Sequence, residues 1–349
     1  MKQLPQPKQK WNLDTLLMKT VLGKRFPHEY ESKVELPDPL ITRKIHLPEG
    51  YAAPYTDKGT VTLFIPPWAF DERLHALPIE YAQTKGPVVE FLWDKKAISP
   101  DVESTARAYE IMSSYVAKSL EQITALKEKY AINEIHIASC SAGIPILTGA
   151  LNKLYAAHKD SIFDQITDVT LIGMADNFAD CYRYGIRTAH MGALAEKNGY
   201  SIDLLREKFS HMAPITAIPA LNHTKGKVTW ITSYADTHFP YANQKKVIDT
   251  IAQTGSKIET KNIPLLGHVG ISAVYYTTGT AAAPTKSAGS ALCIMSTIYT
   301  AQKAGMLEQD ALTFMEKCST GGLTDFDWDV PDEWLDNYQK CPLQYAKSA

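Results

Sequence analysis

The sequence predicts an α/β fold, a doubly wound and mostly parallel sheet with a helical lid inserted into it. Three observations carry that expectation. Short apolar, β-branched runs alternate along the chain with stretches of helical spacing, the order that gives parallel pairing. Runs such as VTLFI and VVEFLW are apolar almost throughout, as suits strands buried on both faces. One junction between a run and a helix places a serine on a tight turn, near residue 141.

Taken in order, LITRKIHLP (40–48) alternates loosely and reads as an edge strand. TVTLFIPP (60–67) is a buried-type strand that stops at two prolines, and PVVEFLW (87–93) is another. Over 102–130, Ala106, Tyr109, Met112, Tyr115, Val116 and Leu120 recur at three- and four-residue intervals, which predicts a helix. EIHIAS (134–139) is the next strand, followed by helical spacing over 144–157 through Ile144, Leu147, Leu151, Leu154 and Tyr155. DVTLIGM (168–174), KVTWITS (227–233) and KIETKNIP (257–264) complete the strands, with Val247, Ile248 and Ile251 marking a helix over 241–254.

The segment 175–226 is longer than a crossover needs and holds several helix-like pieces, so it is expected to be the lid. Residues 1–38 are expected to form an arm, and 39–276 the α/β core that carries the lid. Residues 277–349 are expected to be an extension, with a small-residue flexible loop at 277–290 followed by helices.

Composition narrows the function. The chain has 349 residues, 45% hydrophobic and 21% charged, the balance of a folded globular protein. Its net charge of −2, with scattered basic residues, gives no electrostatic case for a nucleic-acid partner. No run of 18 apolar residues occurs, so no membrane span is expected. The first residues lack the apolar core of a secretory signal, so a cytoplasmic location is expected. The cysteines, Cys140, Cys181, Cys293, Cys318 and Cys341, are odd in number, widely spaced and without a C-x-x-C pair. That argues against a zinc knuckle or a disulfide framework. No G-x-G-x-x-G, G-x-x-x-x-G-K-[ST] or H-E-x-x-H occurs, so neither cofactor nor metal is expected.

The informative stretch is EIHIASCSAGIPILTGAL (134–151). A strand gives way to a helix within S-C-S-A-G, which puts Ser141 on the turn between them. A hydroxyl there stands clear of the sheet, beside the unpaired N–H groups and positive end of the following helix. A lone serine is a weak nucleophile and needs a base with a group to orient it. Asp236 follows the strand 227–233 and His268 follows the strand 257–264. All three therefore fall at C-terminal strand ends, where open α/β sheets carry their sites.

S-C-S-A-G resembles the nucleophile elbow of the α/β-hydrolase superfamily, G-x-S-x-G, and ADTHFPYAN and LLGHVG resemble its acid and histidine loops. The resemblance spans about residues 40–275. Gly143 matches the glycine two places after the nucleophile, while Ser139 stands where the earlier glycine is common. The resemblance implies a Ser141–His268–Asp236 triad and an oxyanion hole made by backbone N–H groups. Ala142 supplies one such N–H. The other comes from the loop FIPPWAFDER, where Pro66-Pro67 replaces the common His-Gly and Pro67 has no N–H, so Trp68 is the expected donor.

Other residues compete with these or lie beside them. Asp176, after the strand 168–174, is a second candidate acid, and Ser139 a second hydroxyl still within its strand. Cys140 is expected to point inward and His238 to lie at the surface or against the lid. The aromatics Trp68, Phe70, Phe178, Tyr182, Tyr184, Tyr275 and Tyr276 fall in segments expected to roof the site. The expected activity is hydrolysis of a carboxylic ester or related small acyl substrate through an acyl-enzyme. Transfer of the acyl group to an alcohol or thiol, and a non-catalytic binding protein of the same fold, are the alternatives.

Overall fold

The computed structural model describes residues 35–48, 59–68, 85–126, 132–173, 175–185, 188–232 and 241–262, with 79, 82, 83, 236, 238 and 239. The expected arm before residue 35 and the extension after 276 lie outside them. Among the described residues the strands are β1 (Ile41–His46), β2 (Thr60–Ile65), β3 (Val88–Trp93), β4 (Glu134–Cys140), β5 (Ile166–Ile172), β6 (Lys227–Thr232) and β7 (Glu259–Asn262). They form one sheet in the order β1-β3-β2-β4-β5-β6-β7. β1 runs antiparallel to β3, whereas β3, β2, β4, β5 and β6 are parallel neighbours. The α/β, mostly parallel sheet expected from the sequence is therefore present.

Local chemistry sets the strand limits. All six residues of β2 are buried, so both faces of the sheet are covered at that strand. Its run ends at Ile65 because Pro66 and Pro67 have no N–H to continue a ladder. The strand expected over 168–174 lies two residues earlier, at Ile166–Ile172, because Gly173 takes a left-handed φ of 70° and ends it. β1 buries Ile41 and exposes the next four residues, the pattern of an edge.

Two helices back the centre of the sheet. In α1 (Val102–Ala125), Tyr109, Met112, Val116, Leu120 and Ile123 make one buried stripe, and the Asp101 carboxylate caps the start by accepting from the Ser104 N–H at 3.1 Å. α2 (Ile144–Ala156) is apolar almost all round its first two turns, because it packs on α1 and against β2 and β4. Gly149 of α2 lets the two helices close up: a Cβ there would fall 2.5 Å from Ser113 Oγ. A short α3 (Asp160–Phe163) leads into β5.

The segment between β5 and β6 is helical, as α4 (Phe178–Tyr184), α5 (Ala189–Lys197), α6 (Ile202–Lys208) and α7 (Ile218–His223) with two 3-10 turns. α4 packs on α5 and α6, and α6 also on α1. Phe178, Tyr182 and Phe209 stack edge-on around one another, with Phe178 5.2 Å from the Tyr109 ring. α8 (Tyr241–Gln253) joins β6 to β7.

The chain divides into two compact units. One comprises Phe26–Thr232 with Thr237–Lys261 and carries the sheet up to Lys261 in β7. The other comprises Met1–Arg25, Ser233–Asp236 and Asn262–Ala349, of which Asp236 and Asn262 are described.

Candidate active site

The site is built on the turn after β4, the middle strand of the seven. Cys140 is still extended, at φ −128° and ψ 137°. Ser141 then takes φ 53°, and a 3-10 turn of Ser141–Gly143 passes directly into α2. A left-handed φ costs a non-glycine residue about 1–2 kcal/mol, so it persists only where the surroundings impose it. What imposes it here is a strand hydrogen-bonded on both sides and a helix that must start at once. No side chain caps α2, and Pro145 in its first turn has no N–H to offer.

The flanking residues show why the turn has this sequence. Gly143 has an ordinary φ of −74°, so backbone freedom is not the reason for glycine. Space is: a Cβ would lie 2.7 Å from both the Ile65 and the Pro66 carbonyl oxygens. Ser139 is fully buried opposite Ile65 in the β2–β4 register, and its hydroxyl donates to the Ile65 carbonyl at 3.4 Å. The departure from glycine at this position is accommodated by that bond, and the rival hydroxyl is engaged within the sheet. Cys140 is a buried thiol, as expected.

The second expected donor segment leaves β2 at the same end. The Pro66 carbonyl accepts from Trp93 Nε1 at 3.2 Å, and Trp68 Nε1 donates to the Lys95 carbonyl at 2.7 Å. Trp68 is buried, so its ring packs rather than forming an exposed wall. On the other side of the turn, the Tyr109 hydroxyl donates to the Ala142 carbonyl at 3.0 Å. Burial raises the Tyr109 phenol well above its ordinary pKa, with Cys181 adding to the effect, so the group stays a donor.

Asp236 follows β6 and is buried. His268 lies outside the described residues, as do Phe70, Tyr275, Tyr276 and the side chain of Tyr184. Asp176, the rival acid, is committed elsewhere. One oxygen accepts from Asn177 Nδ2 at 2.8 Å and Asn243 Nδ2 at 2.6 Å, and the other from Lys246 Nζ at 2.7 Å. Asp180 joins the network, accepting from Asn243 and twice from Arg206. This network ties α4 and α6 to the first turns of α8.

His238 is buried, and its carbonyl lies where a Cβ on Gly185, in the segment expected to be the lid, would come within 3.0 Å, so of its two expected places it takes the one against that segment. One expectation is corrected. Phe178 and Tyr182 are fully buried in the cluster around Tyr109, so they serve the core and not a pocket wall. Tyr109 and Trp93, by contrast, carry no site signal in the sequence. Tyr109 belongs to the apolar stripe of its helix and Trp93 to an apolar strand run, and neither pattern reveals a ring that spends its polar atom on a distant backbone. Among the described residues, no group of three or more His, Cys, Asp or Glu could hold a metal ion, and no helix is long and apolar enough to cross a membrane.

No known family's sequence profile matches the chain, and no curated protein does. Solved structures do. An acylaminoacyl peptidase from Pyrococcus horikoshii is similar at a TM-score of 0.45 and 13% identity, over 65% of this chain and 35% of that one. The chain thus spans about a third of that peptidase's length. An α/β-hydrolase enzyme from a Medee basin deep-sea metagenome library is similar at a TM-score of 0.38 and 15% identity, over 83% of this chain and 97% of the other. A Pyrococcus furiosus esterase is similar at 0.39 and 12% identity, over 61% and 74%. The seven-stranded, mostly parallel sheet with one antiparallel edge strand, and the left-handed serine between its middle strand and the next helix, form an α/β architecture consistent with the resemblance read from S-C-S-A-G.

Proposed function

We propose that this chain is a serine hydrolase that cleaves a carboxylic ester or related acyl substrate through an acyl-enzyme. One observation carries the reading: a serine, not a glycine, holds a left-handed φ of 53° at the exit of the middle strand, with Gly143 pressed against β2 behind it. Strained non-glycine residues of this kind cluster at active sites.

Ser141 Oγ attacks the acyl carbonyl carbon while its proton passes to the His268 imidazole. The oxyanion that forms is held by the N–H groups of Ala142 and Trp68. The imidazolium returns the proton to the departing alkoxide as the acyl C–O bond breaks. Water then repeats the sequence and releases the acid. Asp236 fixes the imidazole tautomer and stabilises its cation. The commitment of Asp176 to Asn243 and Lys246 supports Asp236 in that role. The helical segment between β5 and β6 is the lid of this reading.

The test is a fluorophosphonate probe with mapping of the adduct. Labelling at Ser141, lost in His268→Ala and in Asp236→Ala, is the expected result. A folded chain that neither labels nor turns over short p-nitrophenyl esters would refute the reading and leave a binding protein. Acyl transfer to added alcohol in preference to water would replace hydrolase by acyltransferase.

A further inference from the structure

We propose that Trp93 and Tyr109 are positioning residues, which hold the two oxyanion-donor segments in fixed relation across the turn; this rests on the acyl-transfer reading of Ser141. The β2–β3 ladder is in register from Thr62↔Val88 to Phe64↔Glu90 and goes no further. Beyond it Pro66 and Pro67 have no N–H, so the exit of β2 offers β3 no backbone donor at those two positions. Two indoles link the segments there instead, in opposite directions. Trp93 at the end of β3 donates to the Pro66 carbonyl, and Trp68 on the exit of β2 donates to the Lys95 carbonyl beyond β3. The exchange brackets Pro67 and fixes the peptide whose N–H belongs to Trp68.

The other segment is held from α1. Tyr109 donates to the Ala142 carbonyl and so fixes the peptide just after the one whose N–H faces the oxyanion. The two anchors also touch: the Trp93 and Tyr109 rings lie 6.2 Å apart, edge to face at 64°. The Pro66 carbonyl that Trp93 holds is one of the two atoms against which Gly143 is packed. One aromatic pair therefore braces both sides of the hole. A peptide ladder would have done this with donors the prolines removed.

The experiment compares wild type with Tyr109→Phe, Trp93→Phe and the double variant. Tyr109→Phe removes a single oxygen and keeps the ring contacts, so it serves even if the tryptophan variant folds poorly. Hydrolysis of p-nitrophenyl butyrate is measured per titrated active serine, well below each thermal midpoint. Each single variant should lower kcat about tenfold, less than loss of a donor outright, with KM within about twofold. Affinity for an alkyl boronic acid, which mimics the tetrahedral adduct, should fall in parallel with kcat. The double variant should lose less than the product of the single losses, because the two side chains hold one arrangement. The pH at which the base limb turns over should not move. Lower thermal midpoints with kcat and boronate affinity unchanged would overturn the proposal and leave both residues merely structural. An unreactive wild type would instead overturn the function reading, and this proposal with it.

Discussion

Gly143→Ala separates space from backbone freedom at the Ser141 turn. At φ −74° Gly143, the N-cap of α2, uses a backbone conformation open to alanine, so no left-handed strain opposes the change. The Cβ, however, would meet two carbonyl oxygens at 2.7 Å and the Ile65 Cγ2 at 3.0 Å. Both oxygens are main chain at the exit of β2, so no side chain can rotate away. The strand end must retreat by a few tenths of an ångström, and overpacking of this kind costs about 1–3 kcal/mol. The expectation is a loss of about 1–3 kcal/mol in urea unfolding, set by the clash. The same retreat carries Pro66–Trp68 away from Ser141, so the fluorophosphonate labelling rate should fall by about tenfold to a hundredfold. Gly199→Ala is the control. Its φ is 93° with nothing within 4 Å, so strain alone, about 1 kcal/mol, should appear, with labelling untouched. An alanine at 143 as stable as wild type and labelled as fast would refute the packing argument.

Other expectations follow from the same structure. Asp101→Ala removes the cap that the Ser104 N–H and hydroxyl both use, and should lower stability by about 1 kcal/mol in urea without changing labelling. Arg206→Met breaks the bidentate contact to buried Asp180; since the Arg206 side chain is 48% exposed and Asn243 remains, about 1 kcal/mol is expected in the same assay. His136 is held below its ordinary pKa, chiefly by burial, so the unfolded chain binds the extra proton more readily. Its contribution is fully present above about pH 6.5 and is lost as pH falls through the lowered folded value, so His136→Gln should flatten the decline of Tm between pH 7 and 5.

The sheet was legible because its signal is local. Apolar runs ended by Pro66-Pro67 or a glycine give strands to within two residues, and their alternation with helices gives parallel pairing. The serine turn was legible for the same reason, since strand, small residues and helix are contiguous. What the sequence hid is tertiary hydrogen bonding. Nothing in a helix stripe distinguishes Tyr109 from Met112, although one phenol oxygen reaches Ala142, 33 residues away. Asp176 illustrates the reverse. As a carboxylate after a strand it looks like a catalytic acid, and only its partners on α8, Asn243 and Lys246, show that its lone pairs are already taken.

The strain at Ser141 asks what the fold supplies to hold it. A left-handed serine relaxes if either neighbouring element can slide, so both must be fixed along their length. β4 is paired with β2 on one side and β5 on the other, up to Ser139 and Cys140 respectively, so its end cannot fray. α2 cannot shift toward β2 because Gly143 is already at the limit of approach. It is also pinned to α1 at Gly149 and by the Tyr109 bond to the Ala142 carbonyl in the turn just before it. The serine is thus caught between two immobile bodies with three residues to turn in. An edge strand such as β1, paired on one side only, would hold the same turn less firmly than a strand at the middle of the sheet does.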